Sequence, residues 1–190
     1  MIGLVYAGGK SSRFGKDKAT YRVPGLPATN VQLAVEKLTP LCQRIVVCAN
    51  EINQAHIVKL VGQVPAVRII CDIPPYDCHG PLSAIIACTN QFSIAQDYLT
   101  LAVDYPYITK DSLAVLARTP NSYIATNQHN HYSLAHFSIS NEQVITWVDN
   151  NDDWRLRSFI TNKCVCHPLM YRSSNEFSNL NYREVDSNEK

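Results

Sequence analysis

Apolar runs of strand length alternate with helix-periodic stretches along the first two-thirds of the chain, and this alternation constrains the fold more than any other feature. The runs 2–6 (IGLVY), 44–49 (RIVVCA), 67–71 (VRIIC) and 98–103 (YLTLAV) read as buried strands, being short, apolar and rich in β-branched residues. Between them, 29–38 carries a helical stripe of Val31, Leu33, Ala34, Val35 and Leu38. The stretches 51–61 and 81–92 follow the same period, the latter opened by Pro81, whose missing N–H costs nothing in a first helical turn. Thr109 is a candidate cap for a helix through 110–118, and Ser140 with Gln143 forms a capping-box pattern before Val144. Later strands are expected over 122–126 and 132–139. Beyond Arg172 the sequence is polar and shows little periodicity. Such spacing implies an α/β class chain: a three-layer sandwich around a mostly parallel sheet, Rossmann-like, with 1–190 as a single domain.

Composition narrows the functional classes. Hydrophobic residues make up 46% of the 190 residues and the formal net charge is +1, so no global field points to nucleic acid. The apolar runs are too short to span a bilayer, and Met1 leads straight into a strand-like segment, so neither membrane nor nucleic acid is expected as a partner. Seven cysteines, an odd number spread through apolar segments, read as reduced and mostly buried thiols, and a cytoplasmic location is expected. Cys164 and Cys166 have no second thiol pair at zinc-ligand spacing.

In open α/β sheets, ligands bind beyond the carboxyl ends of the strands, and three polar groupings fall at such ends. The first is the glycine loop after the opening strand, YAGGKSSRFGKDKA (6–19). Gly9-Lys10-Ser11 mimics a Walker A ending, but Leu4 stands where that motif needs its first glycine. Ala7, Gly8 and Gly9 with Arg13 and Lys18 can nonetheless cradle phosphate, or form an ordinary glycine turn with solvated cations. The second is Asp72, with Gly80 opening the next helix: a base-reading loop or a turn-forming carboxylate. The third is Asp104, closing the fourth strand: a carboxylate suited to holding Mg²⁺ against a polyphosphate, or a capping residue. Together the three suggest a nucleotide with Mg²⁺ and chemistry at phosphorus. His129 and His131 flank the turn between the later strands and read as surface residues, and His56 reads as a helix-face residue.

The stretch LVYAGGKSSRFGKDKA resembles the opening L-A-G-G-x-S-x-R-M/F-G-x-x-K motif of nucleotidyltransferases, and the double glycine resembles that of the molybdenum cofactor guanylyltransferases. GPLSAI, AVDYPYIT, WRLRSFI and FSNLNYREV are similar to further segments of that family, in the same order. The resemblance implies transfer of GMP from GTP to the phosphate of molybdopterin, with release of pyrophosphate and with Mg²⁺ as cofactor. Ala7, Gly8, Gly9 and Lys18 would then bind nucleotide, with Asn50, Asp72 and Gly80 on its guanosine side. Arg13, Lys18 and Asp104 would act at the phosphates, Asp104 through the metal. Asn179 and Asn181 would lie near the acceptor, molybdopterin with or without molybdenum. Cofactor-assembly proteins and a recipient molybdoenzyme are the further partners implied. Alternatives are a CTP-using or other-acceptor transferase of the same superfamily, and a non-catalytic nucleotide-binding adaptor.

Overall fold

The computed structural model describes residues 1–9, 14–172 and 174–180. Its centre is a seven-stranded sheet. β1 (Ile2–Tyr6), β2 (Arg44–Ala49), β3 (Val67–Cys71) and β4 (Gln96–Ala102) form the parallel half in the order β3-β2-β1-β4. β6 (Asn130–Ile139) then runs antiparallel to both β4 and β5 (Ser122–Thr126), and β7 (His167–Tyr171) closes the other edge parallel to β5. Strand order reverses around β1, which carries the glycine loop, so the loop and the end of β4 share one carboxyl edge.

Helices cover both faces because successive strand residues point to opposite sides. Val5, Val47, Leu99 and Leu101 pack with α1 (Asn30–Leu38), α2 (Gln54–Val61) and α4 (Lys110–Ala117) through Val31, Leu38, Ile57 and Leu113. Ile2, Leu4, Val46 and Tyr98 pack with α3 (Pro81–Thr89) and α5 (Asn141–Asn151) through Leu82, Ile85, Val144 and Val148. The sequence thus reads as alternately facing two cores, and strands buried on both sides are what β1, β2 and β4 need as continuous apolar runs. Among the described residues, no helix is long and apolar enough to cross a membrane.

Most expected elements form. β1, β2, β3 and β5 begin and end where the sequence places them, while α2 starts at Gln54, because residues 51–53 are spent on a turn described below. Thr109 Oγ1 accepts from Ser112 N–H at 3.1 Å, and the Ser140–Gln143 box closes in both directions. Two features were not expected. A short helix, Leu156–Ser158, runs into a π-helical turn, Phe159–Lys163, that buries Phe159 and Ile160. The edge strand β7 follows it. One expectation is overturned: His131 is not a surface residue but 6% exposed, because the hairpin turns it inward from the second position of β6.

Candidate active site

The glycine loop is shaped by the chain that follows β2. A Cβ at Gly8 would lie 3.1 Å from the carbonyl carbon and oxygen of Ala49, so only glycine lets the two strand ends approach this closely. Among the described residues, a Cβ at Gly9 would meet nothing within 4 Å. Two asparagines then pin the backbone. Asn50 donates from Nδ2 to Gly8 O at 3.0 Å, while its Oδ1 accepts from the N–H groups of Ile52 and Asn53 at 2.9 Å each. The Asn53 amide donates to Ala7 O at 2.9 Å and to Asp17 Oδ2 at 2.7 Å. Asn53 Oδ1 accepts from Asn50 N–H at 2.9 Å.

This clamp delivers Lys18. Asp17 is fixed by Asn53 and by Thr20 N–H at 2.9 Å, and the Lys18 carbonyl is held by Asn30 Nδ2 at 2.9 Å. The ammonium lies 5.8 Å from the Phe14 ring centre and 3.9 Å from Asp104 Oδ2. Two residues from distant parts of the sequence thereby meet beside the glycine loop, as cation and carboxylate. Burial lifts the Asp104 carboxyl above its ordinary range, with Lys18 acting against that shift. Among the described residues Asp104 Oδ1 is buried and accepts no hydrogen bond.

The loop carrying Asp104 is braced from two sides. Lys37 of α1 donates from Nζ to Pro106 O at 2.6 Å, and burial lowers its pKa to about 8. A strap formed by residues 174–180 does the rest: Leu180 N–H donates to Asp104 O at 2.9 Å. Glu176 Oε2 accepts from Thr109 N–H, Thr109 Oγ1 and Ser112 Oγ at 3.2, 2.9 and 2.9 Å, doubling the cap of α4. Phe177 is buried against Tyr171 and His131. Asn179 reaches the Tyr105 phenol next to Asp104. Strap, Tyr105 and the β5–β6 turn enclose a cleft of about 430 Å³.

Asp72 lies at the carboxyl end of β3, two strands from β1, and Gly80 at the start of α3. Asp72 is half-buried and accepts the backbone N–H of Cys78, so it shapes the loop 73–80. Burial raises its pKa, Cys78 opposes the shift, and Asp77 adds to it. Gly80 has φ +69°, the left-handed region, and turns the chain into α3. His79 stacks on Trp154 at 3.7 Å, tying this loop to the segment before the π-helical turn. Of the expected site residues, Arg13 and Asn181 lie outside the described residues. The structure brings Ala7, Gly8, Asn50, Lys18 and Asp104 together, and Asn179 to the neighbouring cleft. Sequence reasoning missed Asn30 and Asn53; the Asn-x-x-Asn spacing right after a strand was the available signal for Asn53.

Residues 3–182 match the family described as the MobA-like NTP transferase domain. The chain belongs to that family. Its relatives include the probable molybdenum cofactor guanylyltransferase of Bacillus cereus (strain Q1), 34% identical over 124 residues, or 65% of this chain and 58% of the relative. The namesake from Bacillus thuringiensis (strain Al Hakam) is 33% identical over the same shares. The matched stretch thus spans less than two-thirds of these relatives' length. Among solved structures, a nucleotidyl transferase from Methanothermobacter thermautotroptrophicus superposes with TM-score 0.68 at 13% identity, over 95% of this chain and 91% of that one. The 4-diphosphocytidyl-2C-methyl-D-erythritol synthase of Anaerococcus prevotii DSM 20548 gives 0.62 at 8% identity, over 96% and 93%. These two likenesses speak to the fold, a Rossmann-like α/β sheet. Within it, the glycines that follow β1 and Asp104, which follows β4, lie on the same carboxyl edge of the sheet.

Proposed function

We propose that the protein transfers GMP from GTP to the phosphate of molybdopterin, giving molybdopterin guanine dinucleotide and pyrophosphate. The observation that carries this reading is the Lys18–Asp104 pair, 3.9 Å apart at the strand edge that also carries Gly8. The names of the relatives supply the acceptor and the base.

Both substrates are anionic, so their approach needs positive charge in a partly desolvated place. Lys18 provides a cation whose backbone is locked by Asn30 and, through Asp17, by Asn53. Glycine-loop N–H groups would receive phosphate oxygens. Asp104 suits a hard divalent ion: one carboxylate oxygen is unpartnered among the described residues and the other faces a cation beyond hydrogen-bond range. Among the described residues no trio of His, Cys, Asp or Glu stands together, so phosphate oxygens and water would complete its shell. Bound there, Mg²⁺ would neutralise triphosphate charge as pyrophosphate leaves. The acceptor phosphate is already an anion, so the residues need only orient and neutralise, with no general base. On the nucleoside side, Asp72 keeps lone pairs beyond the one given to Cys78 and would accept from guanine N1–H and its amino group, donors that cytosine lacks.

The test is incubation with Mg²⁺, molybdopterin and each NTP in turn, reading pyrophosphate and the dinucleotide. GTP should be the productive nucleotide, and Lys18→Ala should lose roughly 10²- to 10³-fold in rate, as for a lost transition-state donor. Pyrophosphate release with CTP at the GTP rate would remove the guanylyl assignment, and an unimpaired Lys18→Ala would remove the site.

A further inference from the structure

An open sheet has two edges whose backbone groups can pair with another chain, and the two edges here are built differently. At one, His167 N–H bonds to Asn121 O, so the odd-numbered residues of β7 turn their backbone groups toward β5, and Pro168 and Met170 turn theirs outward. Pro168 has no N–H to offer, which blunts that edge. At the other, Ile45 N–H bonds to Ala66 O, so Arg68 and Ile70 turn their backbone groups toward β2, and Ile69 and Cys71 turn theirs away. Among the described residues, nothing bonds to the outward N–H or C=O of Ile69 or Cys71. β3 contains no proline, lysine or register shift, and Ile69, Ile70 and Cys71 are each half-exposed.

A second copy of β3 is the strand that fits this edge. Two copies related by a two-fold axis pair antiparallel, with outward residues facing outward residues. The axis can then lie at Ile69, Ile70 or Cys71. An axis at Ile69 sets Arg68 opposite Ile70, and one at Cys71 sets Asp72 opposite Ile70, each matching a charge with an apolar side chain. An axis at Ile70 sets Arg68 opposite Asp72 of the other copy, twice over by symmetry. By strand alternation Arg68, Ile70 and Asp72, the residue directly after β3, fall on one face. Arg68 is exposed and forms no ion pair among the described residues. Asp72 is half-buried and gives one acceptor position to Cys78 N–H. A carboxylate accepts about four hydrogen bonds, so a guanidinium at Asp72 leaves room for Cys78 and for a base.

We infer that two copies of this chain pair through β3, antiparallel about Ile70, so that their sheets run on into one another. Ile69 and Cys71 of each copy exchange N–H···O bonds with Cys71 and Ile69 of the other. Ile70 packs against Ile70 on the axis, and an Arg68–Asp72 pair stands at either side of it. β3 lies two strands from β1, so Gly8, Lys18 and Asp104 stay outside the contact. The pairing requires nothing of the transferase reading.

Sedimentation velocity of the full chain from about 1 to about 100 μM should show the 21.3 kDa monomer giving way to a species of twice that mass. Arg68→Asp changes an exposed side chain and should keep the wild-type urea midpoint. It should weaken association about tenfold or more, since the axis counts each lost pair and each new repulsion twice. Ile69→Pro reproduces on β3 what Pro168 does on β7: it removes an N–H that β2 does not use, and should leave monomer alone over the same range. Ile70→Cys sets two thiols across the axis at the Cα separation of a non-hydrogen-bonded pair, about 4.5 Å, within disulfide range. Mild oxidation should give a covalent dimer in which mass spectrometry finds a peptide linked from position 70 to position 70. A wild type that stays monomeric throughout, an association unchanged by Arg68→Asp or by Ile69→Pro, or an oxidised Ile70→Cys chain without that peptide would each overturn the inference.

Discussion

Replacing Asn53 by alanine removes three hydrogen bonds at once from a side chain that is 2% exposed as a residue. Two join neutral backbone groups and one joins the Asp17 carboxylate. At about 1 kcal/mol for each neutral bond and about 2 for the charged one, the cost is about 4 kcal/mol. That is a large share of a stability of ~5–15 kcal/mol. Urea unfolding should register it as a lowered midpoint, and GTP affinity should fall in parallel, because Asp17 and hence Lys18 lose their anchor. Asn50→Ala, half-exposed and bonded only to nearby backbone, should cost about 1 kcal/mol. Asn53→Asp is the sharper probe. It sets a carboxylate oxygen against Asp17 Oδ2 where the amide now sits at 2.7 Å. At an effective dielectric of about 20 the bare repulsion is about 6 kcal/mol, a ceiling that the pair evades by retaining a proton. One carboxyl then has a folded pKa above its unfolded value, so the folded state binds more protons. Relative to wild type, stability of Asn53→Asp must fall as pH rises from about 4 toward neutrality. A midpoint for Asn53→Ala within about 1 kcal/mol of wild type, or an Asn53→Asp penalty independent of pH, would refute the clamp.

Other consequences are as direct. Burial raises the folded pKa of Asp104 despite Lys18, so its charge opposes folding above its unfolded pKa. Asp104→Asn should therefore melt at or above the wild-type temperature at neutral pH while losing Mg²⁺-dependent GTP binding, a pairing that scanning calorimetry and titration can check. Lys37 shows the opposite sign: with its pKa lowered from 10.5 to about 8, the unfolded state binds the extra proton between those values. Wild-type stability should climb across that window relative to Lys37→Met, measured by urea unfolding at pH 7, 9 and 10.5. Glu176→Ala removes three acceptor contacts at an exposed helix start and should cost about 1 kcal/mol. Because it loosens the strap, it should raise KM for the acceptor while leaving that for GTP unchanged.

Legibility in the sequence followed how local the signal was. Buried parallel strands announce themselves as apolar runs, and the caps at Thr109 and Ser140 are written within four residues, so these were readable. β7 was not: it is an edge strand of exposed or half-exposed residues, interrupted by Pro168 and without the β-branched residues that mark the buried strands. The inward turn of His131 depends on hairpin register and on Phe177 covering it from the far end of the chain, which no local pattern encodes. Asn53 reads locally as a turn residue; its second role exists only because Ala7 and Asp17 come to it across the sheet edge. Ala7, Gly8, Lys18 and Asp104 were legible through motif resemblance, but their convergence is a product of the strand order.

The strap also orders events during synthesis. A chain emerging from the ribosome exposes its N-terminal end first. Once α4 is out, β1 to β4 and the asparagine clamp have all been released, so the nucleotide edge can assemble. Leu180 and Glu176, which tie down Asp104 O and the α4 cap, emerge only after β5, β6 and β7. The two halves of the site therefore mature at different times. Nascent chains should hold Ala7, Gly8 and Lys18 in place well before the cleft beside Tyr105 is closed.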